Sequence, residues 1–557
     1  MTRRSVLRAS VLAAAVPLLA ACGTTSTATT SSGTVAAVTG SSSAATTTAV
    51  TSAATSASSA APTTASTAAT TSAATTSSTG SVAAASITTS SGSTAAASTS
   101  APATSSAASA ASTAPAATPT FVPVTAVLPT PTKSAAKITG KWTVLQNQDF
   151  NPAFNAYVRK AITDFAKFQG WQLDVSYVAG FSAGGQLEQK LAAAINAGTP
   201  PDMMGNNENG YQWKFLDLIQ PVDDVAKEMI AKFGEPTPGI QYTSQIDGVW
   251  YGVPWFTRSG TAYFARQSWF KDAGLDPVKA TDTLMGLPDA LMKISDPSKQ
   301  RFGWGITINT SGDGEHFVQT TSAMFGSKLT DTTGQLVKLD SPETVNAVTW
   351  ITDIYLNPKW KGMLPPGVNG WTDTGNNEAW LASKIGFTQN AATLYAQSVQ
   401  EGKTLQDDTI FVQQPAGPDG TRLMGQDGNE FWLFKGSKNV DASKDFIRYM
   451  LDPVAQKATW AYTPGYVTPA YASEWSDPII QGNPIDKQVQ PSALSKPPFL
   501  VPEYPGPATA AAAAVNSQNV YTKMTARVLQ GMKPADSVKQ AAQEAIQIYQ
   551  QYGAKGQ

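Results

Sequence analysis

No charged residue lies between Arg8 and Lys133 of this 557-residue chain. From Gly23 to about Lys137 the sequence is dominated by Ser, Thr, Ala, Gly and Pro, and its first aromatic is Phe121. Such a tract buries too little apolar surface to offset its ordering entropy, so residues 23–137 are expected to form a disordered linker. As a flexible coil of about 115 residues it would span roughly 60 Å on average, and on the order of 400 Å fully stretched. All fourteen tryptophans follow residue 140. Folding is thus expected in the remaining stretch of roughly 420 residues, enough for two lobes with separate cores.

The only cysteine, Cys22, stands between an apolar run and this linker, so no disulfide within the chain is available. Ahead of it, "MTRRSVLRAS" carries Arg3, Arg4 and Arg8, followed by the apolar "VLAAAVPLLA". A cationic head with a short apolar run reads as a secretory leader, 1–22, too short to span a bilayer stably. Leu19-Ala20-Ala21-Cys22 resembles the bacterial lipoprotein cleavage box, which implies lipid attachment at Cys22 and anchoring on the outer face of the cell membrane. Thr2-Arg3-Arg4-Ser5-Val6-Leu7-Arg8 resembles the twin-arginine export motif.

The net charge of −1 and the absence of a basic cluster speak against nucleic acid as a partner. His316 is the only histidine, so no site needing two histidines can form, and no GxxxxGK[ST] phosphate loop occurs. Composition leaves open the pair of carboxyls that glycoside hydrolysis needs. No cofactor or metal is called for by any motif.

Residues 141–206 alternate between strand and helix signals. "KWTVLQN" and "WQLDVSYV" read as strands. Phe154, Tyr157, Val158, Ile162 and Phe165 recur at helical spacing, with Gly170 as a stop. "GQLEQKLAAAINAG" reads as a helix ending at Gly198, and "PDMMGNN" as a strand running into a polar loop. This β-α-β-α-β order favours an α/β domain with parallel pairing.

"QKLAAAINAGTPPDMM" resembles a segment of the extracellular solute-binding proteins of ABC importers, family 1, which include sugar-binding proteins. The similarity continues in order through "QIDGVWYGVPW", "TAYFARQSWFKDAGLDP", "LTDTTGQLVKLDSPETVNAVTWITDIY", "EFWLFKGSKNVDASKDFIRYMLDPVAQKATW", "GYVTPAY" and "VLQGMKPADSVKQAAQEAIQIYQQ". It covers roughly residues 140 to 552. Phe264-Ala265-Arg266 and "GFTQNAA" depart from the family pattern at positions that bear on ligand chemistry. The resemblance implies a two-lobe, type II periplasmic-binding-protein-like fold with ligand in the interlobe cleft. The lobes would comprise 138–255 with 411–458 and 256–410 with 459–557. Hinge crossings would fall near Val253 to Arg258, Ile410 to Pro415 and Ala455 to Tyr462.

Ligand contacts are sought in loops at strand ends. Asp149, Asn206 and Asn209 follow the first and third strands, where amides and carboxylates bind hydroxyls or cap helices equally well. Trp255 and Arg258 follow the hinge Pro254, as a sugar-covering ring with its polar neighbour or as interlobe packing. Glu315, in "NTSGDGEHF" with Asp313 and His316, is placed in a loop after a strand "FGWGITI". Trp371 is a candidate cap of the cleft, and Asn390 aligns with a ligand-lining loop. Asp427 and Asn429 precede the strand "EFWLF", Tyr466 lies in the "GYVTP" loop, and Tyr504 is a weaker candidate.

The expected function is a lipid-anchored, monomeric, non-enzymatic binding protein that captures a carbohydrate and delivers it to an ABC permease. A polyol, polyamine or metal ion as ligand, a non-transport sensor on the same fold, and a surface-tethered polysaccharide enzyme are the alternatives.

Overall fold

The computed structural model describes residues 127–149, 151–178, 191, 193–195, 197–207, 210–259, 262–400, 404–423, 426–495 and 503–557. The leader, Cys22 and the linker up to 126, with the anchor, export and tether readings placed on them, lie outside the described residues.

Among the described residues the strands are β1 (Trp142–Asn147), β2 (Leu173–Val178), β3 (Met203–Asn207), β4 (Gln245–Ile246), β5 (Val249–Trp250), β6 (Gly252–Ser259), β7 (Ala262–Arg266), β8 (Phe387–Asn390), β9 (Thr409–Val412), β10 (Gln426–Leu433) and β11 (Thr468–Pro469). The larger sheet runs β11-β6-β10-β3-β1-β2, the smaller β8-β7-β9, and β4-β5 is a short hairpin. β1 pairs in parallel with β2 and β3, as the βαβ order required. β10 enters antiparallel between β3 and β6, with β11 antiparallel on the outer side of β6.

The first crossover is the helix Pro152–Gln169. Asn151 caps it by accepting from the Phe154 N–H at 3.0 Å, Pro152 opens it, and Gly170 closes it at φ +78°. Its apolar stripe of Phe154, Tyr157, Val158, Ile162 and Phe165 is buried as the spacing demanded. Trp142 meets Phe165 and Phe446 in this core at ring distances of 6.2 and 5.2 Å. A second core gathers Tyr263, Trp304, Phe317, Val348, Ile351, Met524 and Val538 around the smaller sheet.

Sheet membership moves the expected boundaries. β6 stays in the larger sheet through Ser259, so the chain leaves it at 259–262 rather than at 255/256. β11 returns to that sheet, and the helix Pro484–Ala493 packs on β6, so the expected switch at 458/459 comes too early. The helices Ala510–Ser517, Val520–Leu529 and Pro534–Gln551 then complete the second core. Part of the expected linker is also packed. Leu128 and Ala136 rest on the first core and Ser134 Oγ bonds Asp445; just past the expected linker, Ile138 joins the same core and the Thr139 N–H donates to Asn439 Oδ1 at 2.7 Å.

"FGWGITI" forms no ladder. Phe302 makes one isolated bridge with Ile385, and the Gly305 N–H donates to Phe387 O at 2.9 Å. "SGDGEHF" is a helix rather than a loop. Ser311 caps Gly312–Met324 by accepting from the Gly314 N–H at 3.0 Å.

Candidate functional site

The strand directions select one edge of the larger sheet. β1, β3 and β6 all end there, and the antiparallel partners β10 and β11 begin there. Asp427 and Arg258 face one another in register, as do Glu430 and Asn207. In open α/β sheets this carboxyl edge is where ligands lie, because the connecting loops can spread apart.

Three buried side chains form a chain at this edge. The Tyr466 hydroxyl donates to Asp149 Oδ2 at 2.6 Å and accepts from Arg258 Nη1 at 3.2 Å. Asp149, Arg258 and Tyr466 are all buried. Asn155 holds the Asp149 backbone on both sides, accepting its N–H at 2.8 Å and donating to its carbonyl at 2.6 Å. Burial pushes the Asp149 carboxyl up, and the Arg258 charge, the Tyr466 hydroxyl, the Asn151 N–H and Asn206 act against that.

Two β-bulges sit beside this chain. At the first, Phe431 pairs with Gly205 and Glu430 with Asn207, leaving Asn206 between them at φ +64°. A non-glycine residue in the left-handed region is costly and is held there by its surroundings. Asn206 is fully buried; its Nδ2 donates to Asn147 O at 3.3 Å, while its Oδ1 has no hydrogen-bond partner among the described residues. The second bulge lies between Asn429 and Glu430 on β10. Asn429 is also fully buried, and among the described residues neither its Nδ2 nor its Oδ1 finds a partner. Unpaired buried amides cost stability unless something else satisfies them. An edge that offers a carboxylate, a guanidinium and amide groups still to be bonded can hydrogen-bond hydroxyl groups, which donate and accept.

A second polar cluster lies just past the crossing, where β8 pairs Asn390 with Ala262 at the start of β7. Asn390 Nδ2 donates to Asn377 Oδ1 at 2.5 Å, and its Oδ1 accepts from Thr393 at 3.0 Å. Asp313 Oδ2 accepts from Asn376 at 2.9 Å and lies 3.5 Å from Asn390 Nδ2. Asp373 accepts the Asp313 N–H at 2.9 Å. Burial first, and the Asp373 charge second, push the Asp313 carboxyl up.

The structure thus brings Asp149, Asn206, Arg258, Asn429 and Tyr466 to one edge and places Asn390 in the neighbouring cluster. It gives others different work. Glu315 is buried, and its carboxylate accepts from the Tyr521 N–H at 3.0 Å and from the Thr522 N–H and hydroxyl at 2.7 Å each. It therefore caps the helix Val520–Leu529, in place of the cleft role expected for it. Trp255 is 2 % exposed and stacks on Phe431 at 4.3 Å, with Phe154 5.9 Å away, so its ring is core rather than cleft wall. Trp371 is half-buried and lies against Gly375 at the start of the helix Gly375–Leu381. Asp427 and Asn429 lie within β10 rather than ahead of it. Asn209, Phe150 and Cys22 lie outside the described residues, as does the side chain of Asp427. Asn155, Asn376 and Asn377 were missed. The doubled amide of "TGNNEAW" beside Trp371 was the available signal for the last two.

Among the described residues no helix is long and apolar enough to cross a membrane, and no group of three or more His, Cys, Asp or Glu is placed to hold a metal.

A comparison with curated proteins by sequence gives no match. Solved structures do match. The maltose-bound MalE3 of T. maritima superposes with a TM-score of 0.62 at 17% identity, covering 72% of this chain and 98% of its own. A sugar transporter protein of Arthrobacter chlorophenolicus A6 with bound laminaribiose gives 0.61 at 18%, covering 73% and 98%. An ABC transporter solute-binding protein of Agrobacterium radiobacter K84 with ribitol gives 0.62 at 18%, covering 73% and 98%. At such identities these likenesses establish the shared two-lobe fold. A family model for bacterial extracellular solute-binding proteins matches residues 160–485, more than half of the sequence. The chain belongs to the bacterial extracellular solute-binding protein family.

Proposed function

We propose that this protein captures a small carbohydrate between its two lobes and delivers it to an ABC permease, held at the outer face of the cell membrane by a lipid on Cys22. The first lobe comprises residues 127–259 and 426–493, the second 262–423 and 510–557. Ligand sits at the edge defined by Asp149, Asn206, Arg258, Asn429 and Tyr466, with the Asn390 cluster facing it from the second lobe. The observation that carries this reading is the pair of fully buried asparagines, Asn206 and Asn429, with polar atoms that no described protein group satisfies. Sugar hydroxyls supply the missing partners in both senses, donor and acceptor. Binding needs no chemistry from the chain. Ligand shifts the lobes toward the arrangement that contacts it on both sides.

A polyol is the second reading, favoured by the relative solved with ribitol. It offers the same hydroxyls without a ring face, and no freely exposed aromatic at the described edge demands a ring. A thermal-shift screen against mono- and oligosaccharides and linear polyols tests both readings. Ligand at a hundred times its dissociation constant stabilises the folded state by about 2.7 kcal/mol. No shift with any member of the panel contradicts the proposal.

A further inference from the structure

Next to Tyr466 of the ligand edge, the two proposed lobes meet at a contact that holds a buried carboxyl. Tyr395, 4 % exposed, belongs to the helix Thr393–Gln400 between β8 and β9, and its hydroxyl accepts from Gln406 Nε2 at 3.2 Å. Opposite it stands Gly465, in the loop before β11, at φ +78°. A Cβ on Gly465 would lie 3.0 Å from Tyr395 Cδ1 and 3.1 Å from Ile485 Cβ. The loop is thus pinched between a second-lobe ring and the first-lobe helix Pro484–Ala493. Next to Ile485 on that helix is Asp486, 2 % exposed, whose Oδ1 has no hydrogen-bond partner among the described residues.

Among the described residues the surroundings of Asp486 hold no counter-ion. Asn483 caps its helix through the Ile485 and Asp486 N–H groups, at 2.8 and 3.2 Å, and leaves the carboxyl itself aside. Lys487, on the same helix, is exposed. Beneath, on β6, Arg258 is engaged with Tyr466, which is engaged with Asp149. On the preceding turn Asp477 pairs with Lys457 at 2.9 Å. From the second lobe Tyr395 faces it, with Asp407 beyond. An isolated carboxylate in such a place is far costlier than the neutral acid. Burial holds this carboxyl protonated well above the ordinary range, and only the Gly465 N–H opposes that.

We propose that Asp486 is a proton latch on the interlobe contact: it carries a proton while the helix Thr393–Gln400 lies against Gly465 and the helix Pro484–Ala493, and releases it when the lobes part. The step is a proton uptake from water and nothing else. It rests on the two-lobe hinge reading and adds a regulator to it. The sign follows from linkage. Once separated, the carboxyl faces water and titrates near the usual value of about 4. Above that pH the parted state is ionised and the touching state is neutral. The ratio of parted to touching molecules then rises by up to tenfold per pH unit, until the raised value of the buried acid is reached.

The test needs no ligand. In the full chain carrying Cys22→Ser, Lys227→Cys and Lys359→Cys place one spin label on an exposed site of each lobe, the native side chains being 67% and 58% exposed. Double electron–electron resonance then reads the separation between pH 5 and 9. Two distances are expected, with the longer one gaining population as pH rises. In Asp486→Asn, isosteric with the neutral acid, both distances persist and the pH slope disappears. Gly465→Ala, which crowds Tyr395 and Ile485, raises the longer distance at every pH and keeps the slope. A flat wild-type profile, or a slope that survives Asp486→Asn, overturns the latch while leaving the hinge standing. A single distance at every pH in all variants overturns the hinge and the latch together.

Discussion

Asn206→Gly separates the cost of a strained backbone from the use made of the side chain. Asn206 sits at φ +64° inside a bulge, where a side chain costs about 1 kcal/mol that glycine does not incur. Removing the amide loses the 3.3 Å bond to Asn147 O, about 0.5–1.5 kcal/mol. It also removes a buried, unpaired Oδ1, whose desolvation costs about 1–3 kcal/mol. The extra chain entropy of glycine subtracts about 0.5–1 kcal/mol. At their midpoints these contributions sum to about 1 kcal/mol in favour of the variant, so urea unfolding without ligand should show unchanged or slightly raised stability. Affinity should fall. One or two hydrogen bonds from the amide to ligand, at about 1 kcal/mol each, correspond to roughly five- to thirtyfold in dissociation constant by calorimetric titration. Asn206→Ala should lose the same affinity and be about 1 kcal/mol less stable than the glycine variant, since it keeps the strain. A glycine variant that is several kcal/mol less stable yet binds as before would show that the bulge serves the fold alone.

Trp255→Ala should cost about 3–5 kcal/mol in unfolding free energy, because a buried ring stacked on Phe431 leaves a cavity; a fully stable variant with lost affinity would restore it to the cleft. Glu315→Ala should destabilise by about 2 kcal/mol or more by uncapping the helix Val520–Leu529, with the ligand dissociation constant unchanged in titrations of the folded fraction. Deleting residues 23–126 should leave the unfolding midpoint in place, whereas deletion through 140 should lower it, since Leu128, Ala136, Ile138 and the Thr139–Asn439 bond would go. Equal midpoints for the two deletions would mean that this strap adds nothing.

The elements that the sequence made legible are those whose signals are local. The stripe from Phe154 to Phe165, the stop at Gly170 and the strands of the first βαβ units need only spacing and caps, and all recur in the structure. Sites followed where they sit at the ends of those strands, as with Asp149 and Asn206. What failed depends on distant pairing. No local pattern announces that β10 inserts between β3 and β6, so Asp427 and Asn429 were placed ahead of a strand that in fact contains them. The bulge that frees Asn206 is likewise a property of two strands more than two hundred residues apart in sequence. Glu315 looked like a cleft acid because its partners, Tyr521 and Thr522, lie some two hundred positions away. Trp255 was misplaced because its stacking partner Phe431 arrives on the same inserted strand. The docked strap was missed because Leu128, Ala136 and Ile138 are sparse apolar residues in a polar tract, too few to register as composition.

The central claim is that the edge of Asp149, Asn206, Arg258, Asn429 and Tyr466 holds a polyhydroxylated ligand. Calorimetric titration of the wild-type protein and of Asn206→Gly with maltose, laminaribiose and ribitol, extended to other saccharides and polyols from the thermal-shift panel, tests it most directly. The account predicts saturable binding of at least one of them, with one site per chain and a negative heat-capacity change from closing the lobes, weakened at least fivefold in the variant. Heats that never saturate with any saccharide or polyol, or a dissociation constant identical in the two proteins, would contradict it.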